Sequence, residues 1–432
     1  MRFCFINKII APLALVLFFA GCLLENSYDE ILLFTYTGTT ELTITGYKGR
    51  GNVTIPSEIN GKPVTAIGDF AFAVKELTGV TIPDTVKSIG HYAFYSNNFT
   101  SIIIPDSVTS LGSSAFTGGK LTSITLGSGI TTISNGAFSY NQITSIVIPD
   151  TVTTIGIDAF ANNQLTDITI PDSVESLGGF SNNKLTSVTI PDSVKTIGTN
   201  AFSNNQLTEI NLGDGVISIE SGAFANNQLI EIEIPDGVEE LGGFHNNKLE
   251  SIEIPDSVKT IGTNAFSNNQ LTEIIFGDGV ITISAGAFAN NQLTGKITIP
   301  VGVENLSGFR NNQLTEITIP DSVENIGASA FYDNELTEIN FGNGVVTIGN
   351  NAFAYNQLTD IDIPDSVTEI GYNAFTNNKL VSIALGEGVV LNPWPLTGYT
   401  SFDNGFDYFY NDNEKAAGVY TFDETLGWRK ND

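Results

Sequence analysis

The sequence predicts a repeat solenoid. The expected form is a right-handed coil with one parallel β-sheet face, short turns or 3₁₀/strand segments on the other side, and about 15 coils of about 22 residues. Three observations predict it. The stretch IPDSVKTIGTNAFSNNQLTEI occupies residues 190–210 and recurs letter for letter at 254–274. Inside that duplication runs a shorter period. Phe72, Phe94, Phe116, Phe138 and Phe160 stand 22 residues apart, and steps of 20 to 22 continue through Phe180, Phe202, Phe224, Phe244, Phe266, Phe288, Phe309, Phe331, Phe353 and Phe375. Third, one unit holds too few apolar side chains to offset the entropy of ordering its own backbone, so each coil must cover the open face of the next.

The unit reads L-T-x-I-x-I-P-D-S-V-x-x-I-G-x-x-A-F-x-N-N-Q. Its L-x-x-I-x-I portion alternates with period two and is rich in β-branched residues, which predicts a short strand. Proline follows, as at Pro171, Pro191 and Pro255, and ends the strand because it has no N–H to donate. The Gly after the next Ile and the Asn pair beyond Phe are turn residues. The second Asn recurs at Asn98, Asn141, Asn163, Asn183, Asn205, Asn227, Asn247, Asn269, Asn291, Asn312, Asn334, Asn356 and Asn378. Such a column predicts buried amides bonding the orphan N–H and C=O groups of adjacent turns.

An Asp after the Pro recurs at Asp84, Asp106, Asp150, Asp172, Asp192, Asp236, Asp256, Asp321 and Asp365. Its position before Ser predicts an Asx-type turn. Stacked carboxylates could alternatively hold Ca²⁺, though no coil shows the clustered D-x-D-x-D pattern of a calcium loop. Three units are two residues short on the side opposite the strand: Leu177-Gly178-Gly179-Phe180, Leu241-Gly242-Gly243-Phe244 and Leu306-Ser307-Gly308-Phe309. They predict tightened back turns.

The unit I-P-D-S-V-x-x-I-G-x-x-A-F, with ITGYKGRGNVTIPSEINGKPVTAIGDFAF at 44–72, resembles the BspA-type leucine-rich repeat proteins of bacterial surfaces over roughly residues 40–391. The resemblance implies a leucine-rich-repeat solenoid, usually exported, that binds other macromolecules, some members being adhesins. Family units often carry Cys after the Phe, where this chain has Asn, as at Asn163, Asn205 and Asn227.

Both ends depart from the repeat. Residues 1–21 have a basic start at Arg2 and Lys8 and an apolar run, the pattern of a secretory signal. LFFAGC at 17–22 resembles the lipobox of bacterial lipoproteins, with Phe19 where Leu is usual, which implies lipidation of Cys22. Leu23 after the Cys is not an inner-membrane retention Asp, which favours the outer membrane or cell surface. Residues 22–30 would be a tether, 31–65 an N-terminal cap and first repeat, 66–391 the solenoid, and 392–432 an aromatic-rich C-terminal cap or recognition module. That last segment holds both tryptophans, Trp394 and Trp428. Cys4 would leave with the signal, so the mature chain could form no internal disulfide and no cysteine-based metal site.

Net charge is −29 before the leader is lost, so nucleic acid and anionic lipid surfaces are unexpected partners, with membrane contact through the lipid anchor alone. The third and fifth residues of each strand should point away from the core. In early coils they are Ser101 and Ile103, Ser123 and Thr125, Ser145 and Val147. Later they become Glu209, Glu231, Glu233, Glu253, Glu273, Glu316, Glu338, Asp360 and Asp362, with Lys296 the one basic interruption. Such a column either keeps an exposed sheet soluble or docks a basic partner.

No nucleophile has a base beside it in the sequence pattern, and no phosphate loop or dinucleotide fingerprint occurs. The expectation is therefore a monomeric, non-enzymatic protein without cofactor or metal that binds a protein or glycan. An envelope scaffold is the second class, and an enzyme the third.

Overall fold

The computed structural model describes residues 31–391, 401–403, 405–412, 414–423 and 425–431. The signal, Cys22, the tether and Trp394 lie outside the described residues. The chain divides into two units, one ending at Thr151 and the other beginning at Val152. Each is a parallel β-solenoid with little helix, and its turns are about 22 residues long.

In the first unit an antiparallel hairpin, Phe34–Thr37 with Leu42–Tyr47, leads into the coils. Leu42–Tyr47 pairs in parallel with Lys62–Ile67, which is followed by Ser88–Ile89 and Ser110–Leu111. On the other face Gly51–Thr54 pairs with Leu77–Thr81, and Ser101–Ile103 with Ser123–Thr125. The rings of Phe72, Phe94, Phe116 and Phe138 stack with centroids 5.0–5.4 Å apart, and Phe34 and Tyr47 close over Phe72.

In the second unit the continuous sheet lies on the V-x-x-I-G side of the repeat. Two-residue strands run in parallel from Thr154–Ile155 and Ser176–Leu177 to Val390–Leu391. The L-x-x-I-x-I segments pair only in patches: Ser187–Thr189 with Glu209–Asn211, Ser251–Ile254 with Glu273–Phe276, Thr294–Thr298 with Gln313–Thr318, which in turn pairs with Glu338–Asn340, and Asp360–Asp362 with Ser382–Leu385. The sheet predicted on L-x-x-I-x-I is thus present but broken, and a second face carries the longer ladder. A Pro in most coils ends each strand of the first face, because it has no N–H to donate.

Between the faces runs a Phe column, Phe160 to Phe375, with centroids 5.3–5.6 Å apart and planes within 20° of parallel. Repeats of equal length bring like side chains into file, so each ring is sealed by its neighbours. In the short coils Gly179 (φ 92°) takes the place of Ala before Phe. A Cβ there would lie 2.6 Å from the Gly156 carbonyl oxygen, so the two-residue deletion requires Gly.

The Asn pair divides its labour. The first Asn is left-handed, as at Asn204 (φ 55°) and Asn226 (φ 57°), and the second is buried. Asn227 Nδ2 donates to the carbonyls of Phe202 (3.0 Å), Phe224 (2.9 Å) and Ala225 (3.3 Å), and its Oδ1 accepts the Leu207 N–H (3.0 Å). Asn183, Asn205, Asn247, Asn269 and Asn291 repeat the pattern, and Asn163 bonds the Phe160 and Ala161 carbonyls. One position is corrected. Asn97, not Asn98, fills the ladder in the coil of Phe94, bonding the Phe72 and Phe94 carbonyls and the Leu77 N–H. The amide must sit three residues after Phe to reach both turns, and Asn98 is one too far.

Left-handed positions that hold Asn in the second unit hold bulkier residues in the first: Phe70 (φ 57°), Val74 (φ 56°) and Tyr92 (φ 54°). A β-branched side chain pays most for that geometry. Val74 is exposed, so Val74→Asn is expected to stabilise the first unit by roughly 0.5–1.5 kcal/mol. Urea unfolding checks this, and a loss of stability would contradict the strain.

The Asp and Ser after Pro also act between coils. Asp192 Oδ1 accepts the Asp214 N–H (3.0 Å), Asp256 that of Asp278 (2.8 Å) and Asp321 that of Asn343 (2.8 Å). Ser193 and Ser257 donate backwards to the Val174 and Val238 carbonyls. At these positions the carboxylate expected to close an Asx turn accepts an N–H of the next coil. In the first unit the Ser128 N–H does the same for Asp106 (2.7 Å) and holds its carboxyl below the usual carboxylate range.

At the far end Ser401-Phe402 imitates the Ala-Phe of a further coil. The Phe375 N–H donates to the Ser401 carbonyl (2.9 Å), as the Phe353 N–H does to Ala374, and the Phe402 ring stacks 5.0 Å from Phe375. Asp407, in the helix Phe406–Asp412, accepts the Ser401 (2.6 Å) and Phe402 (2.9 Å) N–H groups. Burial nevertheless pushes its carboxyl above the usual range. Gly418–Asp423 pairs antiparallel with Ser382–Leu385, and Trp428 packs on Phe406 with centroids 4.9 Å apart.

Candidate functional site

Charge is distributed very unevenly. Residues 31–151 carry seven acidic and six basic side chains, whereas residues 152–432 carry thirty-seven and ten. Much of the excess lies on the long-strand face of the second unit. Glu209, Glu231, Glu233, Glu253, Glu273, Glu338, Asp360 and Asp362 are all exposed there, and Glu316 is half-buried.

Alternation places these carboxylates outward. Ser251–Ile254 and Asp360–Asp362 read exposed, buried, exposed along the strand, with Ile252 and Ile361 turned to the core. Register then decides which charges meet. Glu316 lies opposite Glu338 on the next strand, and Lys296 opposite Glu316, with Nζ 2.5 Å from the carboxylate. Ser187 and Ser251 face Glu209 and Glu273 and dilute the column. Apart from the Lys296–Glu316 pair, the bonds to these carboxylates are local: Asn340 Nδ2 donates to Glu338 (2.9 Å) and Thr359 Oγ1 to Asp360 (2.8 Å). Like charges on neighbouring strands cost tenths of a kcal/mol per pair, so they do not stabilise the fold.

Sequence reasoning missed one local feature of this face. The segment from Leu293 to Pro300 is one residue longer than the matching segment of other coils, and the register of Thr294–Thr298 with Gln313–Thr318 shifts between Gly295 and Lys296, skipping Thr315 of the partner strand. The signal was present as L-T-G-K-I-T-I-P where other coils read L-T-x-I-x-I-P.

Both histidines are structural. In the first unit His91 Nδ1 accepts the Ser113 N–H (3.0 Å), while its own N–H donates to Asp69 (2.7 Å). In the second unit His245 follows Phe244 and is half-buried, and that burial pushes its imidazole below the ordinary histidine range. A depressed folded pKa means that the unfolded chain binds the proton more readily. The second unit is therefore expected to lose stability as pH falls below about 6.5, and His245→Ser, the residue at Ser203 and Ser267, should flatten that slope. Urea midpoints between about pH 5 and 7.5 check it.

Among the described residues no group of three or more His, Cys, Asp or Glu side chains could hold a metal ion. Among them, too, no helix is long and apolar enough to cross a membrane.

Comparison with known proteins places these features. The family described as BspA type leucine rich repeat region matches residues 65–179, 178–294, 240–308 and 294–391. No curated protein matches the chain. Among solved structures, a leucine-rich repeat protein from Bacteroides ovatus is similar at 22% identity and TM-score 0.49, covering 82% of this chain and 89% of that one. A leucine rich cell surface protein from Faecalibacterium prausnitzii is similar at 22% identity and TM-score 0.38, covering 82% and 87%. The pneumococcal vaccine antigen PcpA is similar at 22% identity and TM-score 0.44, covering 80% and 86%. With its repeats matched from the first full coil to the last, this chain belongs to the BspA-type leucine-rich repeat family.

Proposed function

We propose that this chain is a non-enzymatic binding protein of the bacterial cell surface, adhesin-like, that holds a protein or glycan partner on the long-strand face of its second unit. One observation carries the reading. Carboxylates fill the outward positions of that face coil after coil, and folding gains nothing from them. A field of one sign raises association rates for a basic partner and repels nucleic acid and anionic lipid. Family membership supports a binding role, since repeat solenoids present long surfaces of this kind. The open face offers no water-excluding cleft around a paired acid and base, which supports binding over catalysis.

The same reading has residues 1–21 as the exported leader, Cys22 as the lipidated terminus and 22–30 as the tether to the outer membrane. The tail is a cap over the last coil, and the mature protein is a monomer. It needs no cofactor.

Charge reversal tests the face. Glu231→Lys, Glu233→Lys and Glu253→Lys together should abolish capture of partners from host or envelope extracts, read by mass spectrometry against the wild type, while the circular dichroism spectrum stays unchanged. Undiminished capture would leave the column as a device for solubility. Proteolysis of intact cells separates surface display from an internal envelope scaffold, since only a displayed chain is cut.

A further inference from the structure

The two copies of the duplicated stretch part company immediately after it ends. Residues 211–212 of the first are Asn and Leu, whereas residues 275–276 of the second are Ile and Phe. One coil later the first copy reads Ile230-Glu231 and the second Thr294-Gly295-Lys296, with one residue added, and Glu233 is matched by Thr298. These scattered replacements converge in space. Ile275, Phe276, Thr294, Lys296 and Thr298 all line one cleft of about 410 Å³, with Leu314 beside them.

The backbone opens at the same place. Glu273–Phe276 pairs back to Ser251–Ile254, Thr294–Thr298 pairs forward to Gln313–Thr318, and the ladder is interrupted between them. Gly295, at φ 66°, is left-handed at the point where the register shifts. Ile275 is 53% exposed and lies opposite Glu253, and Lys296 is neutralised by Glu316. The acidic face thus contains a notch in which the exposed Ile275 and the neighbouring Phe276 lie among Glu273, Asp278 and, across the strand pair, Glu253.

We propose that this notch anchors the partner, receiving one apolar side chain of an extended protein segment whose neighbouring residues are Lys or Arg. The inference rests on the acidic-face reading above and deepens it. An exposed apolar side chain set among charged ones, as Ile275 is here, has the anatomy of a binding hot spot. The rim's carboxylates complement basic neighbours and repel acidic ones. The duplication supplies the internal control, because the first copy keeps the strand but has Asn and Leu at the two key positions.

Fluorescence anisotropy with the full chain tests this, using fluorescein-labelled Lys-Lys-Leu-Lys-Lys and Lys-Lys-Ala-Lys-Lys at about 50 mM and about 300 mM salt. The Leu peptide should bind about tenfold more tightly than the Ala peptide. That preference should vanish in Ile275→Asn/Phe276→Leu, and in Ile275→Thr, which keeps a strand-forming residue. Glu209→Lys/Glu231→Lys/Glu233→Lys, away from the notch, should weaken both peptides alike. Equal affinities for the two peptides, still salt-sensitive and still lost on charge reversal, would overturn the notch and leave the acidic face standing. No binding of either peptide at low salt would overturn both.

Discussion

Asn227→Ala is expected to cost the second unit about 2–4 kcal/mol, read as a fall in the urea midpoint. The amide is the partner of the buried Leu207 N–H and a second donor to the carbonyls of Phe202 and Phe224, which also accept from Asn205 and Asn247. A buried N–H left without a partner costs about 1–3 kcal/mol, and each lost bond to a carbonyl that keeps its other donor adds about 0.5–1.5 kcal/mol. Gln228, next in the chain and exposed, is the control: Gln228→Ala should stay within about 0.5 kcal/mol. A loss below about 1 kcal/mol for Asn227→Ala would mean that the turns find other partners and that the ladder is incidental.

Phe224→Ala should be more damaging, at about 3–5 kcal/mol, for a different reason. The ring is fully buried between Phe202 at 5.4 Å and Phe244 at 5.3 Å, so its removal leaves a cavity in a column whose backbone spacing is set by inter-coil hydrogen bonds and cannot collapse. Phe224→Leu refills most of the space and should cost less, about 1–2 kcal/mol. Amide hydrogen exchange gives the sharper readout. In a stack where coils touch only their neighbours, protection should fall most in the coils of Phe202 and Phe244 and least near Phe375. Uniform loss along the unit would contradict nearest-neighbour coupling.

The two substitutions act on features that differed in how easily they were read. The Phe column is visible as a period, because the same apolar residue recurs wherever the chain returns to the core. The ladder was visible too, yet its position in the coil of Phe94 was misassigned. An Asn pair shows that two amides are present but not where the pair stands on the turn: in this coil Ser96 holds the left-handed place (φ 55°) and the first Asn, not the second, faces inward. Geometry resolves this: only the residue three after Phe reaches the carbonyls of two coils at once, so Asn97 is buried and Asn98 is not. The carboxylates of the Asp column posed the same problem, since both the local turn and the next coil offer an N–H.

Of the candidate site, the outward acidic residues followed from alternation alone, since a strand with one buried face leaves no choice for the other. Their pairing did not follow. That Lys296 meets Glu316 while Glu316 also meets Glu338 depends on where the register shifts; the added residue is visible in the sequence, but the partner residue that the pairing skips is not.

A repeating chain writes its period, its strand, its turn residues and its apolar column directly into the order of its residues, because each depends on contacts that recur in every coil. The continuous ladder on the V-x-x-I-G side, the forward reach of Asp192 and Asp256, the imitation of a coil by Ser401-Phe402 and the notch at Ile275 belong to another class. Each is set by the distance between groups about 20 or more residues apart, and that distance exists only once neighbouring coils have closed on one another.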